Sequence, residues 1–170
     1  MPFSYDTFKP QIEDFLKKNS YSHVLDIGAG AGKYSDIVRA INPSVHIEAI
    51  EIDPDYISRF HLEDKYNKVH NQSVESWIDA NLNKTYDIVI MGDVIEHLKK
   101  SVGLDALHFF IYRTRHIIIQ WPLSMIQFDW EGHKHEHHIS VWTEKDFEIF
   151  EHKYFTDGEM CLALIRGFIP

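Results

Sequence analysis

Hydrophobic and polar residues form two kinds of pattern that alternate along this chain. Short, mostly apolar runs occupy residues 24–27, 45–50, 86–91 and 116–120, and glycine, proline or polar residues bound them. Runs of this length predict strands that are buried on both faces of a parallel sheet. Between them, apolar residues recur at helical spacing, so the chain is predicted to alternate strands with helices.

Three of the predicted helices have clear limits. Apolar side chains at helical spacing over about 8–18 predict an amphipathic helix ahead of the first strand. A second helix is expected over 32–40, because the Asn-Pro pair that follows disfavours its continuation. A third is expected over 54–62, because Asp53 suits the N-cap and the proline after it suits the first helical position.

The last quarter of the chain predicts a different arrangement. Thr143 suits the start of a short helix. Two strands, over 152–155 and 160–165, flank the turn sequence TDGE, which is typical of an antiparallel hairpin. A further strand over 68–71 is only weakly indicated, because the segment is short and polar.

The first strand runs directly into a glycine-rich turn, VLDIGAGAG over residues 24–32. A dinucleotide site would show G-x-G-x-x-G, but Lys33 stands where the third glycine is needed and Asp26 lies two residues before the first. A carboxylate at Asp26 repels a pyrophosphate and suits an ammonium group. Glu51, at the end of the second strand, can accept hydrogen bonds from ribose hydroxyls. Ribose, an ammonium group and no pyrophosphate describe S-adenosylmethionine.

These residues also resemble a known family. The segments 24–32 and 86–98 (YDIVIMGDVIEHL), with Glu51 between them, are similar to the first, fourth and second motifs of class I S-adenosylmethionine-dependent methyltransferases. The resemblance covers nearly the whole chain. The alternative to this family is a dinucleotide-binding Rossmann protein, which has a closely related fold. It implies an α/β fold that is Rossmann-like and doubly wound, with a mostly parallel seven-stranded sheet, a C-terminal antiparallel hairpin and helices on both faces.

The resemblance also implies where S-adenosylmethionine binds. The expected contacts are the glycine turn, the end of the second strand, the residues after the third strand and the turn after the fourth. These positions are Asp26, Gly28, Ala29, Gly30, Gly32, Glu51, Ile52, Ser73, Val74, Gly92 and Asp93. The family has an acidic residue near position 73 that contacts the adenine amino group. Ser73 leaves that contact open, and it is equally suited to cap the helix that carries Val74.

Composition and charge limit the classes of function. A chain of 170 residues with 44% hydrophobic and 25% charged residues suits one soluble domain over 1–170, without a separate substrate domain. The apolar runs are too short to span a membrane, and the N-terminus lacks a signal-peptide pattern. Cys161 is the only cysteine, so no intrachain disulfide can form. These features predict a cytoplasmic protein. A net charge of −9 disfavours a duplex nucleic-acid partner but leaves structured RNA open.

A long segment rich in aromatic residues and histidines lies between Pro122 and Ile139, and loops of this length are usually functional or disordered. Residues 127–142 resemble, loosely, the Gln…Gly…Glu-x-His-x-Ser-x-Trp arrangement of polysaccharide-biosynthesis-associated methyltransferases. This resemblance implies O-methylation of a sugar, glycan or other small hydroxylated acceptor. The implied substrate contacts are Gln127, Trp130, Glu136 and Trp142. Alternatively, the histidines are solvated and the tryptophans are packing anchors.

Other classes of acceptor stay open on the sequence alone. The turn after the fourth strand lacks the Asn/Asp-Pro-Pro-aromatic sequence of enzymes that methylate bases, which argues against that substrate. An RNA or protein methyltransferase is the alternative enzyme, and a non-catalytic binding or assembly domain is the alternative outside catalysis. The retained acidic residues and glycines favour an enzyme. The sequence leaves the oligomeric state undetermined.

The sequence offers two candidates for a general base. His138 is the first, because an imidazole titrates near neutrality and this one matches the histidine of the resembling loop. Asp93 and His97 form the second, since they are expected one turn apart on the same face of a helix. An amine acceptor that binds in its neutral form would need neither.

A metal site is a separate hypothesis. The alternating histidines at 133, 135 and 137 could face one way on an extended segment, with Asp93 and Asp129 as further ligands for magnesium. Three histidines without fixed geometry are more often surface residues, so we predict no metal.

Overall fold

The computed structural model describes residues 2–170. In this part of the chain, a seven-stranded sheet forms the centre of the fold. The strands are β1 (His23–Ile27), β2 (His46–Glu51), β3 (Lys68–Asn71), β4 (Tyr86–Gly92), β5 (Thr114–Pro122), β6 (His152–Thr156) and β7 (Met160–Arg166). The helices are α1 (Lys9–Lys18), α2 (Lys33–Ile41), α3 (Pro54–Arg59), α4 (Leu62–Lys65), α5 (Val74–Ala80) and α6 (Lys100–Ile111). Short 3₁₀ turns cover Ile95–His97, Lys134–Glu136 and Glu144–Phe147.

The strand order is β3-β2-β1-β4-β5-β7-β6. Strands β1 to β5 pair in parallel, whereas β7 is antiparallel to both β5 and β6. The order changes direction at β1, which pairs with β2 on one side and β4 on the other. In open sheets of this kind ligands bind beyond the carboxyl ends of the strands at such a switch point. The predicted Rossmann-like fold with its C-terminal hairpin is confirmed.

Helices cover both faces of the sheet, and each face has its own apolar core. One core joins α1 and α2 to the sheet through Ile12, Leu16 and Val38. The other joins α5 and α6 to it through Trp77 and Phe110. Burial of these side chains on both sides explains why the central strands are almost continuously apolar. No helix in the described chain has the length and apolar character needed to cross a membrane.

Two predicted helices have different limits in the structure. The helix expected over 54–62 ends at Arg59, because His61 adopts a left-handed conformation with φ 51° and starts α4. The helix expected to begin around Asp93 begins only at Lys100. Gly103 lies inside α6, where an added Cβ would come within 2.5 Å of the Trp142 ring. Gly103 therefore allows close packing and does not break the helix.

Candidate functional site

A cavity of about 360 Å³ opens at the carboxyl ends of β1, β2 and β4, next to the switch point. Its walls include most of the positions that the sequence assigns to the cofactor. Those positions are Gly28, Ala29, Gly30, Glu51, Ile52, Ser73, Val74, Gly92 and Asp93. Asp26 and Gly32 are not among the lining residues. The sequence-predicted cofactor residues thus converge at one place, with two exceptions.

The glycine turn forms the floor of this cavity. Gly28 has φ 71°, and its N–H donates to the Ile50 carbonyl at 2.8 Å, which ties the turn to the end of β2. A Cβ on Gly28 would come within 2.2 Å of the Val94 side chain, so only glycine fits here. The turn is also covered from outside, because Ala31 N–H donates to the Pro2 carbonyl at 2.9 Å. No sequence pattern predicts this contact between the N-terminal segment and the turn.

The Glu51 carboxylate holds the turn in place. One oxygen accepts from Gly30 N–H at 2.8 Å and the other from Asp53 N–H at 2.9 Å. Burial raises the pKa of this carboxyl group. Each carboxylate oxygen has a further lone pair, and Glu51 lines the cavity, so it can still accept from a ribose hydroxyl.

Asp26 does not lie where the sequence predicts. Its side chain is fully buried and points away from the cavity, where it accepts a hydrogen bond from the Tyr66 hydroxyl. Burial raises the pKa of Asp26 to about 7. The predicted contact between Asp26 and a cofactor ammonium group does not fit this position, because side chains alternate along a strand and this one faces the α2 side. The predicted cofactor residue Gly32 instead forms the N-cap of α2.

Ser73 caps a helix at the edge of the cavity. Its hydroxyl accepts from Ser76 N–H at 3.3 Å and so caps α5, while the residue also borders the cavity. Ile52, half exposed, and Val74 add apolar surface beside it. This part of the cavity suits a flat, mostly apolar ring such as adenine.

Asp93 directly follows β4 and lines the cavity. Its φ of 54° and the Ile95–His97 3₁₀ turn exclude the helix on which Asp93 and His97 were expected to pair, so that prediction is wrong. Gln120, which the sequence did not single out, donates its side-chain N–H to the Asp93 carboxylate at 2.9 Å. Tyr5 N–H donates to the same oxygen at 3.3 Å. Burial raises the pKa of Asp93 to about 6.

The two predicted bases lie side by side. The His97 and His138 rings meet edge to face with centroids 4.7 Å apart. His97 Nδ1 lies 3.1 Å from the His137 carbonyl, and His138 Nδ1 lies 2.9 Å from the Met125 carbonyl. A carbonyl only accepts, so each Nδ1 carries its proton and each neutral ring presents an unprotonated Nε2.

A third group, Glu96, completes this cluster and was missed by the sequence analysis. It is 2% exposed, and neither carboxylate oxygen has a hydrogen-bond partner among the described residues. His138 Nε2 lies 3.9 Å from Glu96 Oε1. Burial, with the nearby Asp93 charge, raises the pKa of Glu96 well above its usual range. The only available signal was its position directly before His97 in the sequence.

Burial acts in the opposite direction on the two histidines. It lowers the pKa of His97 to about 4, with the neighbouring His138 contributing, and it also lowers the pKa of His138. Both imidazoles are therefore neutral near pH 7 and able to accept a proton. Ligand atoms of His97, His138 and Glu96 all lie within 4.8 Å of one another, close enough to surround one cation.

The predicted substrate residues separate in the structure. Glu136 is buried and lines the cavity. Gln127 supports the loop, because its side chain donates to the Glu136 carbonyl at 2.8 Å. Trp130 is 37% exposed and lies outside the cavity lining.

Trp142 does not fit the predicted substrate contact. It is completely buried, and its Nε1–H donates to the Ile95 carbonyl at 3.0 Å. The Lys100 ammonium group lies 3.8 Å from the centre of its ring. Trp142 is a packing anchor that joins the end of the loop to α6, as the alternative interpretation stated.

Comparisons with known proteins point in one direction. A sequence profile described as a methyltransferase domain matches residues 6–149. No curated protein matches the sequence.

Solved structures share the fold at low identity. An O-methyltransferase family protein from Burkholderia thailandensis superimposes with a TM-score of 0.66 at 11% identity, over 94% of this chain and 56% of that one. The N-terminal domain of EvdMO1, crystallised in the presence of SAH and D-fucose, gives 0.65 at 15%, over 97% of this chain and 83% of that one. Small RNA methyltransferase HEN1 gives 0.66 at 16%, over 100% of this chain and 26% of that one. The chain thus spans little more than half of the first structure.

Proposed function

Because the chain belongs to the methyltransferase domain family, whose members use S-adenosylmethionine, we propose that it transfers a methyl group from this cofactor to a hydroxyl group of a small molecule. The observation that carries the proposal is the contact of Nδ1 of His97 and of His138 with backbone carbonyls, which leaves each Nε2 free to accept a proton. His97 borders the cavity floored by the glycine turn, and both rings border a smaller adjoining cavity. Methylation of a hydroxyl needs a proton acceptor, and these atoms supply one.

Different residues of the cavity are suited to different parts of the cofactor. Glu51 is suited to the ribose hydroxyls, and the apolar surface of Ile52 and Val74 is suited to the adenine ring. We assign the ammonium group to Asp93, because it lines the cavity and Asp26 does not. Its pKa of about 6 leaves Asp93 mostly ionised at neutral pH, as that role requires.

The acceptor is expected at the other end, between His97 and Ile139. In the reaction the acceptor oxygen attacks the methyl carbon in line, the carbon–sulfur bond breaks, and its electron pair stays on sulfur to give S-adenosylhomocysteine. The hydroxyl proton passes to Nε2 of His97, which borders the main cavity. His138, which borders a smaller adjoining cavity with His97, is the next position for the proton.

A sugar or a related polyol is the acceptor class that we favour. The polar Glu136 and His135 line the cavity together with the apolar Leu98 and Ile139, a mixture that suits a small hydroxylated molecule. A neighbour of the same fold was crystallised in the presence of SAH and D-fucose. The loose sequence resemblance of residues 127–142 supports the same class.

Transfer of labelled methyl from S-adenosylmethionine to a panel of sugars, small phenols, RNA and proteins tests the proposal. We expect alkali-stable label in the sugars or another small hydroxylated compound, and its loss in the His97→Ala, His138→Ala double variant. Label in RNA or protein alone would overturn the acceptor class. Binding of S-adenosylhomocysteine without transfer to any member would favour the non-catalytic alternative.

A further inference from the structure

We propose that Asp53, His133 and His135 form a binding site for a divalent transition-metal ion of the zinc type, and that the ion fastens the histidine loop to the start of α3. The histidine loop is residues 123–142, between β5 and the Glu144–Phe147 turn. The alternating histidines lacked a fixed geometry in the sequence. The structure supplies that geometry through Asp53.

The three side chains converge on one point. His133 Nδ1 lies 2.5 Å and His135 Nε2 lies 3.1 Å from the same oxygen, Oδ2 of Asp53. One ligand atom from each residue lies within 4.8 Å of the other two. Tetrahedral zinc with bonds near 2.0–2.2 Å holds its ligand atoms about 3.3 Å apart, so small side-chain movements admit an ion.

The carboxylate is already oriented for this role. Asp53 Oδ1 accepts from Asp55 N–H at 2.8 Å as the N-cap of α3, which directs Oδ2 to the histidines. Asp53 is 5% exposed, and within the described chain its Oδ2 has no polar partner besides the two imidazoles. A buried carboxylate oxygen with two imidazole nitrogens aimed at it presents three donor atoms that one metal ion can bind together.

The histidines are held by their surroundings as well. The Tyr56 ring packs against His133 and His135, with centroids 4.9 and 5.7 Å away. His133 N–H donates to the Trp130 carbonyl at 2.9 Å, and this hydrogen bond fixes the backbone turn from Trp130 to His133. Such support from neighbouring groups orients metal ligands in known sites.

The donor set selects the class of metal. Two imidazole nitrogens and one carboxylate oxygen suit Zn²⁺, Co²⁺ or Ni²⁺, whereas Mg²⁺ and Ca²⁺ prefer oxygen ligands alone. Three protein ligands leave one position of a tetrahedral ion for water.

The site lies against the cavity wall. His135 and Glu136 line the cavity, and Asp53 N–H donates to Glu51 at 2.9 Å. An ion on Asp53 would therefore fix one wall of the cavity beside Glu51. Binding of the metal ion does not depend on methyl transfer.

Metal binding is tested on chelator-treated full-length protein titrated with Co²⁺. We expect the intense visible absorption of four-coordinate cobalt, displaced by Zn²⁺ at one ion per chain. The His133→Ala, His135→Ala variant should lose the absorption and bind Zn²⁺ at least about a hundredfold more weakly in calorimetry. Asp53→Asn, which keeps an oxygen to cap α3, should weaken binding in the same direction.

Two matched double variants decide between this site and its alternatives. His23→Ala, His46→Ala removes a pair of imidazoles elsewhere on the surface and should bind cobalt as the native protein does. His97→Ala, His138→Ala removes the other cluster and should also keep the absorption. Cobalt absorption that persists without His133 and His135, but disappears without His97 and His138, would overturn the proposal. Absence of tetrahedral cobalt absorption in the native protein would do the same.

Hydrogen exchange tests the fastening of the loop. Zn²⁺ should slow exchange over residues 127–138 at least about tenfold in the native protein and leave it unchanged in His133→Ala, His135→Ala. Tight binding of Zn²⁺ without slower exchange would contradict the fastening role.

Discussion

His97 and His138 lie edge to face with ring centroids 4.7 Å apart, and each donates its Nδ1–H to a backbone carbonyl of the histidine loop. From the sequence alone, His138 and His97 belong to two alternative candidates for the general base. The structure joins them, with Glu96, in one cluster. Whether one ring or both act in proton transfer is therefore a question for single variants.

We predict that His97→Ala lowers the chemical step about a hundredfold or more and leaves cofactor affinity nearly unchanged. His138→Ala should have a similar or smaller effect, because that ring borders the adjoining cavity. Single-turnover rates at saturating S-adenosylmethionine across pH measure both. His108→Ala, on the exposed side of α6, is the control. Normal rates in both variants would move the base away from this cluster.

Glu51 offers a test of the cofactor site by calorimetry with S-adenosylhomocysteine. Glu51→Ala should weaken binding by about 1.5 to 3 kcal/mol, the range of hydrogen bonds to charged groups. Glu51→Gln should lose less, since its amide oxygen can still accept from Gly30 N–H. Exposed Glu63→Ala is the control. Binding of NAD with no response to S-adenosylhomocysteine would contradict the assigned cofactor.

Asp26 predicts a pH-dependent stability. Its pKa is about 7 in the folded protein and near 3.8 when unfolded, so its stabilising contribution is complete below about pH 4 and is lost as pH rises through 7. Asp26→Asn removes this titration. The free energy of unfolding of the variant minus that of the native protein should rise over this window, by up to about 4 kcal/mol. Urea unfolding at several pH values measures it, and a difference independent of pH would contradict the buried, neutral carboxyl group.

Substitution of Trp142 tests whether this side chain stabilises the fold or contacts the substrate. Trp142→Ala should lower the free energy of unfolding by about 3 to 5 kcal/mol, because it empties a fully buried site between Gly103 and Phe147. Trp130→Ala, at a partly exposed ring, is the matched tryptophan control and should change stability by less than about 1 kcal/mol. Thermal and urea unfolding decide. Equal stability of the two variants would mean that Trp142 is not an anchor.

The histidine loop is predicted from its length to cover the acceptor. Its backbone is tied down at one end, where Ile139 and Ser140 N–H donate to the Glu96 carbonyl at 2.9 and 3.1 Å. We expect hydrogen exchange over 123–138 to slow when S-adenosylhomocysteine and acceptor are added together. Full protection in the free protein would identify the loop as ordinary packed structure.

Local patterns were enough for the strands and for the cofactor turn. Apolar runs and the glycine-rich sequence report on the immediate chain, so β1, β2 and Glu51 are found without knowledge of the fold. The direction of Asp26 was not predictable, because the choice of face depends on which helix packs there. The helix predicted from the spacing of Asp93 and His97 does not form. Asp93 has a left-handed backbone conformation, and its carboxylate accepts a hydrogen bond from Gln120 on β5. Asp53, His133 and His135 come together only through tertiary folding.

Glu51 accepts one hydrogen bond from the glycine turn and one from the backbone of Asp53. A single carboxylate thus shares its oxygens between the ligand-binding floor of the cavity and the residue on which the histidine loop rests. Thermodynamic reciprocity then applies: if an ion on Asp53 tightens cofactor binding by some factor, the cofactor tightens binding of the ion by the same factor. In that case the concentration of free metal ion would change the affinity of this protein for its cofactor.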